Sequence, residues 1–391
     1  MMYKKLVLAL LSLFIIFSLP GQPVKAEAFS VRTDDALQSP LCLPGQPEYQ
    51  QANCEQLGPA AYLSTMKSEG LVLPRTPLPA APIDPGFGEL PYNYVKLTDD
   101  ETPTFTSLDD AIANQNPYQV IPAGFKYATY VDYSISGDNH RDYMIDQGIW
   151  IRGGNTAGRV APSSFTGLQF YSTPAQQFGW IIYQTESQWS PGIQNADTTV
   201  RELNRFYLIQ VYQTVDMDGT TWLMIGPNEW VEKSRTALVY PNPTPPEGVT
   251  NGRWIEINLY EQTLSVYQGN RMVFATLVSS GITGWWTRPG LFQIYEKLDS
   301  TPMSGAFEAD RSDYYYLEDV PWTMYFDQAR ALHGAYWHNY FGYEQSHGCV
   351  NLSPADSHWL YLWGTIGDYV YVWDPSGQTP VDESLYTAGG A

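Results

Sequence analysis

Proline placement limits where this chain can build regular structure. Ten prolines fall between Pro40 and Pro91, and another four lie in Pro241-Asn242-Pro243-Thr244-Pro245-Pro246-Glu247-Gly248. Each fixes φ and removes a backbone donor, so neither stretch suits a long helix or a central strand. Between and after them run short segments rich in Tyr, Trp, Val and Ile, punctuated by Gly and Asn. Aromatic residues make up 15% of the chain and charged residues only 16%, against about 25% charged in an average domain. Many aromatics, many turn formers and few charges favour β-structure over helical bundles. The expected fold class is mainly β.

The proline clusters divide the chain. Residues 29–119 read as a Pro-rich, loop-like leader with a short helix near Ser107 to Ala113. Residues 120–240 read as strands, 241–249 as a semi-rigid linker, 250–376 as a further β-rich domain and 377–391 as a tail. Inside 120–240 two stretches resemble each other at an offset of 80 positions: Tyr143-Met144-Ile145 with Trp150-Ile151, and Leu223-Met224-Ile225 with Trp230-Val231. Each pair flanks a Gly-containing turn, which suggests tandem β-hairpin modules. They resemble bacterial SH3-like repeats. That resemblance implies a separable element that holds the following domain on the cell wall; a plain spacer is the competing reading.

The N-terminus predicts export. Lys4 and Lys5 precede an apolar run of 14 residues, Leu6 to Leu19, broken by Pro20 and Gly21. Val24-Lys25-Ala26 and Ala26-Glu27-Ala28 offer small residues for cleavage, so residues 1–28 read as a signal peptide. The run is shorter than the roughly 20 residues that span a bilayer, so no transmembrane anchor is expected after cleavage, and the expected location is extracytoplasmic. The formal net charge of −20 argues against nucleic acid as a partner, because phosphate binding needs a basic surface. In an oxidising compartment Cys42 and Cys54 are close enough in sequence to pair, with two unpaired thiols as the alternative. Cys349 is then the odd thiol.

After the linker, Trp254 to Leu259 and Thr263 to Tyr267 alternate as strands, Gly269-Asn270 turns the chain, and Met272 to Val278 returns. Leu291 to Tyr295 adds a strand. Ser353-Pro354-Ala355-Asp356 starts a helix running to about Trp363, and Tyr369 to Trp373 closes the sheet. Four of the five histidines, His333, His338, His347 and His358, fall within 26 residues that include Cys349. A thiolate is a strong nucleophile, and a nearby imidazole takes its proton or holds it as an ion pair. Ser346-His347-Gly348-Cys349 is a polar turn whose backbone N–H groups are candidates to stabilise an oxyanion. The combination suits acyl transfer through a thioester.

The string from His333-Gly334 to Ser346-His347-Gly348-Cys349, with His333 16 positions before Cys349, resembles the L,D-transpeptidase catalytic-domain family (YkuD-like). Thr287-Arg288-Pro289-Gly290-Leu291-Phe292 resembles an upstream segment of that family, with Arg288 inserted between Thr and Pro. Many members carry Arg at the position of Asn351. The resemblance implies Cys349 as nucleophile, His333 as base, the Gly334 carbonyl as orienter of the imidazole, His347 as a shaper of the turn, and Gly348 and Cys349 as oxyanion donors. Tyr336, Trp337, Ser346 and Asn351 are the expected substrate contacts, with core packing as the competing reading for Tyr336 and Trp337. The implied partner is a peptidoglycan tetrapeptide stem: attack at its L,D bond releases D-alanine, and transfer to an amine gives a 3→3 cross-link. The family needs no cofactor.

Three alternatives stay open at this point. Water as acceptor makes an L,D-carboxypeptidase. A non-catalytic wall-binding protein would rely on the repeats. A metal site would use His333, His338, His347 and Cys349, although their spacings match no common structural zinc pattern. His358 reads as a packing residue on the helix.

Overall fold

Short apolar runs between tight turns give a mainly β chain in the computed structural model, which describes residues 77–386 apart from 138–139, 154–156, 193–198, 307–309 and 312. The signal-peptide reading and the Cys42–Cys54 pair lie outside the described residues. Among those described, strands form five sheets, and the two α-helices are Leu108–Ala113 and Pro354–Trp363.

The central sheet has seven strands in the order Ala80–Pro82, Leu168–Phe170, Arg271–Leu277, Thr263–Gln268, Arg253–Asn258, Tyr369–Trp373, Gly290–Gln293. Its middle is a meander. Gln262 and Gly269 take positive φ (53° and 62°) in the two turns, and Arg253–Asn258 and Arg271–Leu277 flank Thr263–Gln268 in antiparallel register. Tyr369–Trp373 joins Arg253–Asn258 in parallel, which needs a long crossover. The helix Pro354–Trp363 lies in that crossover. Ser353 Oγ caps it by accepting the Asp356 N–H at 3.2 Å, with Pro354 at the first helical position. Trp359 stacks on Phe274, ring centres 4.2 Å apart, and seals a core with Ile255, Ile257, Leu264 and Val266 of this sheet and Leu332, Val350 and Leu352 of a second.

Alternation in 254–259 predicts one face packed and one facing solvent. The structure covers both faces. Trp254 and Tyr267 stack on the far side, centres 4.6 Å apart, beneath Phe178, Trp180 and Val239 from upstream of the proline linker. Glu256 is caught under this cover, and burial pushes its carboxyl up to about 7.

The second sheet runs Val350–Leu352, Arg330–Gly334, Tyr315–Asp327, Phe125–Tyr130, Asn93–Leu97, Ala157–Arg159, with Glu296–Gly305 paired to Tyr315–Asp327. Its right half comes from residues upstream of the linker. Tyr315, Tyr316 and Leu317 pair in parallel with Phe125, Lys126 and Tyr127. The loop-like reading of the chain up to about 116 therefore needs correction in its described part. Pro82 closes an edge strand and Pro85 opens a 3-10 turn, positions where a missing N–H costs little.

The two Trp-containing hairpins are equivalent in register. Met144 faces Trp150 with an irregularity just beyond, and Met224 faces Trp230 likewise. Each extends into a five-stranded sheet of the same strand arrangement. The first draws on Thr102–Phe105 and Gln119–Ile121, so that repeat reaches upstream of position 120, with the helix Leu108–Ala113 between its strands. The second is tied to the central sheet by Glu261, which accepts from Lys233 Nζ (2.9 Å), the Leu238 N–H (2.8 Å) and Tyr240 Oη (3.0 Å).

Strand sharing makes a cut at the linker costly. A chain starting near Gly248 would leave Arg271–Leu277 as an open edge, strip Tyr315, Tyr316 and Leu317 of their parallel partners, and uncover Trp254 and Tyr267. It is expected to lack a cooperative thermal transition, whereas a chain starting near Pro77 keeps one; calorimetry on both checks this.

Asp356 generates a second expectation. Its buried carboxylate accepts the Gly167 N–H at 2.7 Å and Thr276 Oγ1–H at 2.5 Å, and burial, only partly offset by these bonds, raises its pKa from 3.8 to about 7. The folded state then holds this proton more tightly than the unfolded chain, so the contribution is full below about pH 4 and is lost as pH rises through 7. Asp356→Asn should flatten the fall in unfolding free energy between pH 5.5 and 8, measured by denaturant titration at both values.

Candidate active site

The site is built where two short strands meet in parallel. Arg330–Gly334 is buried at every position between Tyr315–Asp327 and Val350–Leu352. Leu332 pairs with Val350 and His333 with Asn351. Cys349 enters the second strand one residue earlier, and its Sγ accepts the Ala331 N–H at 3.4 Å while Sγ–H points to the Ala329 carbonyl at 3.8 Å. Side chains alternate across a strand, so Ala331 and His333 share a face, as do Cys349 and Asn351. Both His333 and Cys349 line one cavity of about 400 Å³.

His333 Nδ1 makes a long contact of 3.5 Å with the Gly334 carbonyl. A proton held on Nδ1 leaves Nε2 as the basic nitrogen. Burial lowers the His333 pKa to about 4, so the ring is neutral at pH 7 and able to accept a proton.

The turn from Ser346 to Cys349 is braced from inside. Ser346 Oγ accepts the Gly348 N–H at 3.1 Å and donates to the Cys349 carbonyl at 2.5 Å. Gly348 takes φ +122°, and a Cβ there would come within 3.1 Å of Arg330 Nε. Thr287 Oγ1 donates to the Gly348 carbonyl (2.9 Å) and accepts the Gly281 N–H (3.0 Å), which gives the upstream Thr287 segment a structural task. Under the turn, Arg330 is almost wholly buried; it pairs with Asp327 at 3.3 Å and donates to the Tyr386 carbonyl at 3.2 Å. Arg288 completes the network at 2.6 Å from Asp327. Tyr386 falls in the stretch read as a tail, yet it is buried against this arginine.

The expected site residues separate into groups. Cys349, His333, His347, Ser346, Trp337 and Asn351 all line the cavity. His347 stacks on Tyr315, 5.4 Å between centres, with Trp285 at its edge, and burial lowers its pKa. Tyr336 does not line the cavity. It is 1% exposed, stacks on Tyr94 at 3.7 Å and donates to the Glu318 carbonyl at 2.6 Å, so it is core rather than a substrate contact. Gly348 also departs from its expected role: its N–H is turned to Ser346 Oγ rather than offered to an oxyanion. His338 lines the cavity and meets the Asn351 amide at 2.9 Å. His358 packs on Trp322, 4.3 Å between centres, away from the cavity. Among the described residues, no three His, Cys, Asp or Glu side chains group closely enough to hold a metal; the His333, His338, His347, Cys349 set is not such a group.

Among the wall residues that escaped the sequence reading are Lys96, Phe125 and Tyr127. They lie more than 200 positions before His333, and only the sheet brings them there. The loop between His333 and Cys349 is held by the second repeat as well. Arg205 donates to the carbonyls of Asn339, Phe341 (2.8 Å) and Ile182 (3.1 Å).

Residues 252–372 match the L,D-transpeptidase catalytic domain, YkuD. No curated protein matches the chain. Among solved structures, an L,D-transpeptidase from Stackebrandtia nassauensis is 30% identical over 33% of this chain and 57% of its own, with a TM-score of 0.25. One from Xylanimonas cellulosilytica is 27% identical over 34% and 65%, TM-score 0.27. The catalytic domain of the E. faecium L,D-transpeptidase is 24% identical over 32% and 100%, TM-score 0.28. The chain thus spans less than two thirds of the first two. The matched family supports an enzyme of L,D-transpeptidase type, and the matched segment contains both His333 and Cys349.

Within this transpeptidase-like domain the turn geometry is testable. Gly348→Ala should cost about 1–3 kcal/mol from the unfavourable φ and alter the rate at which iodoacetamide alkylates Cys349. Denaturant unfolding and alkylation kinetics both unchanged would show that the turn tolerates a side chain.

Proposed function

We propose that this chain is an exported L,D-transpeptidase that remodels peptidoglycan through a thioester on Cys349. The observation that carries the reading is the placement of a thiol and a neutral buried imidazole on paired strands, lining one cavity. His333 Nε2 takes the Sγ proton as the thiolate attacks the carbonyl carbon of the L,D bond in a tetrapeptide stem. The tetrahedral intermediate collapses, His333 returns the proton to the departing amine, and D-alanine leaves. An amine of a neighbouring stem then attacks the thioester carbonyl. His333 takes the amine proton, a new amide forms, and the thiol is regenerated. Water in place of the amine gives the carboxypeptidase outcome.

Aromatic residues of the wall (Trp337, Tyr315, Phe125, Tyr127), with an acceptor stem seated against them, would limit water at the thioester and favour the amine acceptor. An export signal at residues 1–28 would deliver the enzyme to the compartment that holds this substrate.

Cys349→Ala should abolish turnover of a tetrapeptide stem with its fold intact. His333→Ala should lower the rate by about 10²–10⁴-fold, as expected for a lost general base. Because the His333 pKa is held near 4, the acid limb set by this group should fall as pH drops through about 4 rather than 6.5. Mass spectrometry of muropeptides reads both variants; substantial turnover by Cys349→Ala would reject the assignment.

A further inference from the structure

His338 and Asn351 form a pair in the cavity whose polarity is set by the backbone. His338 Nδ1 accepts the Tyr340 N–H at 3.1 Å, so in the neutral ring the proton sits on Nε2. Nε2 is 2.9 Å from one end of the Asn351 amide. Nε2–H is a donor, so that end must be the amide oxygen; the hydrogen-bond network, and not atom shape, assigns the two ends of an amide. The NH₂ group then takes the other end. That end is buried and has no partner among the described residues; Asn351 is only 2% exposed and lines the cavity beside His333 and Cys349. A buried polar group without a partner is costly and calls for an explanation.

We infer that His338 is a positioning residue, which turns the Asn351 amide so that its NH₂ group donates to a carbonyl or carboxylate oxygen of the bound stem. The inference rests on the proposed stem substrate. It gives Asn351 the same sense of hydrogen bonding that an arginine at this position would have, and it explains why an orphaned group is retained in the cavity. His338 needs no contact with substrate in this arrangement.

Binding is measured in a Cys349→Ala background, with a soluble tetrapeptide stem as probe and calorimetry as readout. Asn351→Asp keeps the acceptor for His338 Nε2–H but removes the donor, and should weaken binding roughly tenfold, the scale of one lost hydrogen bond. His338→Ala should weaken it by a similar factor. The double variant should be no weaker than Asn351→Asp alone, because both act through one amide. Nitrogen-15 spectra of the histidines in the otherwise unaltered chain should place the His338 proton on Nε2. Unchanged affinity in Asn351→Asp, multiplying effects in the double variant, or a proton on His338 Nδ1 would each overturn the inference. A stem that binds but is never turned over by the unaltered enzyme would reject the transfer reading alone; a stem that does not bind would reject both. Should Asn351→Asp fail to fold, the His338 spectrum still decides the amide's polarity.

Discussion

Everything in the site depends on the parallel pairing of Arg330–Gly334 with Val350–Leu352. Register is the reason. Side chains alternate along a strand, so a slip of one residue would send His333 or Cys349 to the opposite face. The pairing resists slipping because both strands are buried throughout, with Leu332, Val350 and Leu352 set in the core beneath the helix Pro354–Trp363. A second restraint sits at the turn, where Thr287 holds the Gly348 carbonyl and Arg330, paired with Asp327, packs against Gly348. Parallel strands this close in sequence need a crossover, and the loop carrying Trp337, His338 and Tyr340 supplies it. The same segment that makes the pairing possible therefore walls the cavity.

The domain that carries this pairing is not self-sufficient. Its central sheet has two buried faces, and the second is covered by aromatic residues from upstream of the linker. Its other sheet continues through Phe125–Tyr130 and Asn93–Leu97, which also bring Lys96, Phe125 and Tyr127 to the cavity. The upstream region is thus part of the site, and variation there would alter the substrate surface without touching His333 or Cys349. Arg205 extends the dependence to the second repeat, through carbonyls on either side of Tyr340.

Local signals were legible in the sequence where the physics is local. Ser353-Pro354 marked the helix start, Gly269 the hairpin turn, and the matched Trp150 and Trp230 a repeated hairpin that the registers reproduce. The His333 to Cys349 string located the cavity. What was hidden is long-range. Proline density between 40 and 91 concealed the strands Ala80–Pro82 and Asn93–Leu97, because an edge or end position tolerates proline. Tyr336 and Trp337 are adjacent and alike in composition, but a strand end sends one to the core beside Tyr94 and the other to the cavity. The His338–Asn351 pair spans 13 positions and depends on which ring nitrogen the Tyr340 N–H occupies, which no residue pattern records.

The most direct measurement is the covalent intermediate itself. The enzyme is mixed with a tetrapeptide stem that has no free amine to act as acceptor, quenched in acid within the first turnover, and weighed intact. A thioester at Cys349 predicts an adduct equal to the stem less its terminal D-alanine, removable by hydroxylamine and mapped to the peptide containing Cys349. Product release without any adduct, or an adduct on another residue, would contradict the proposed chemistry.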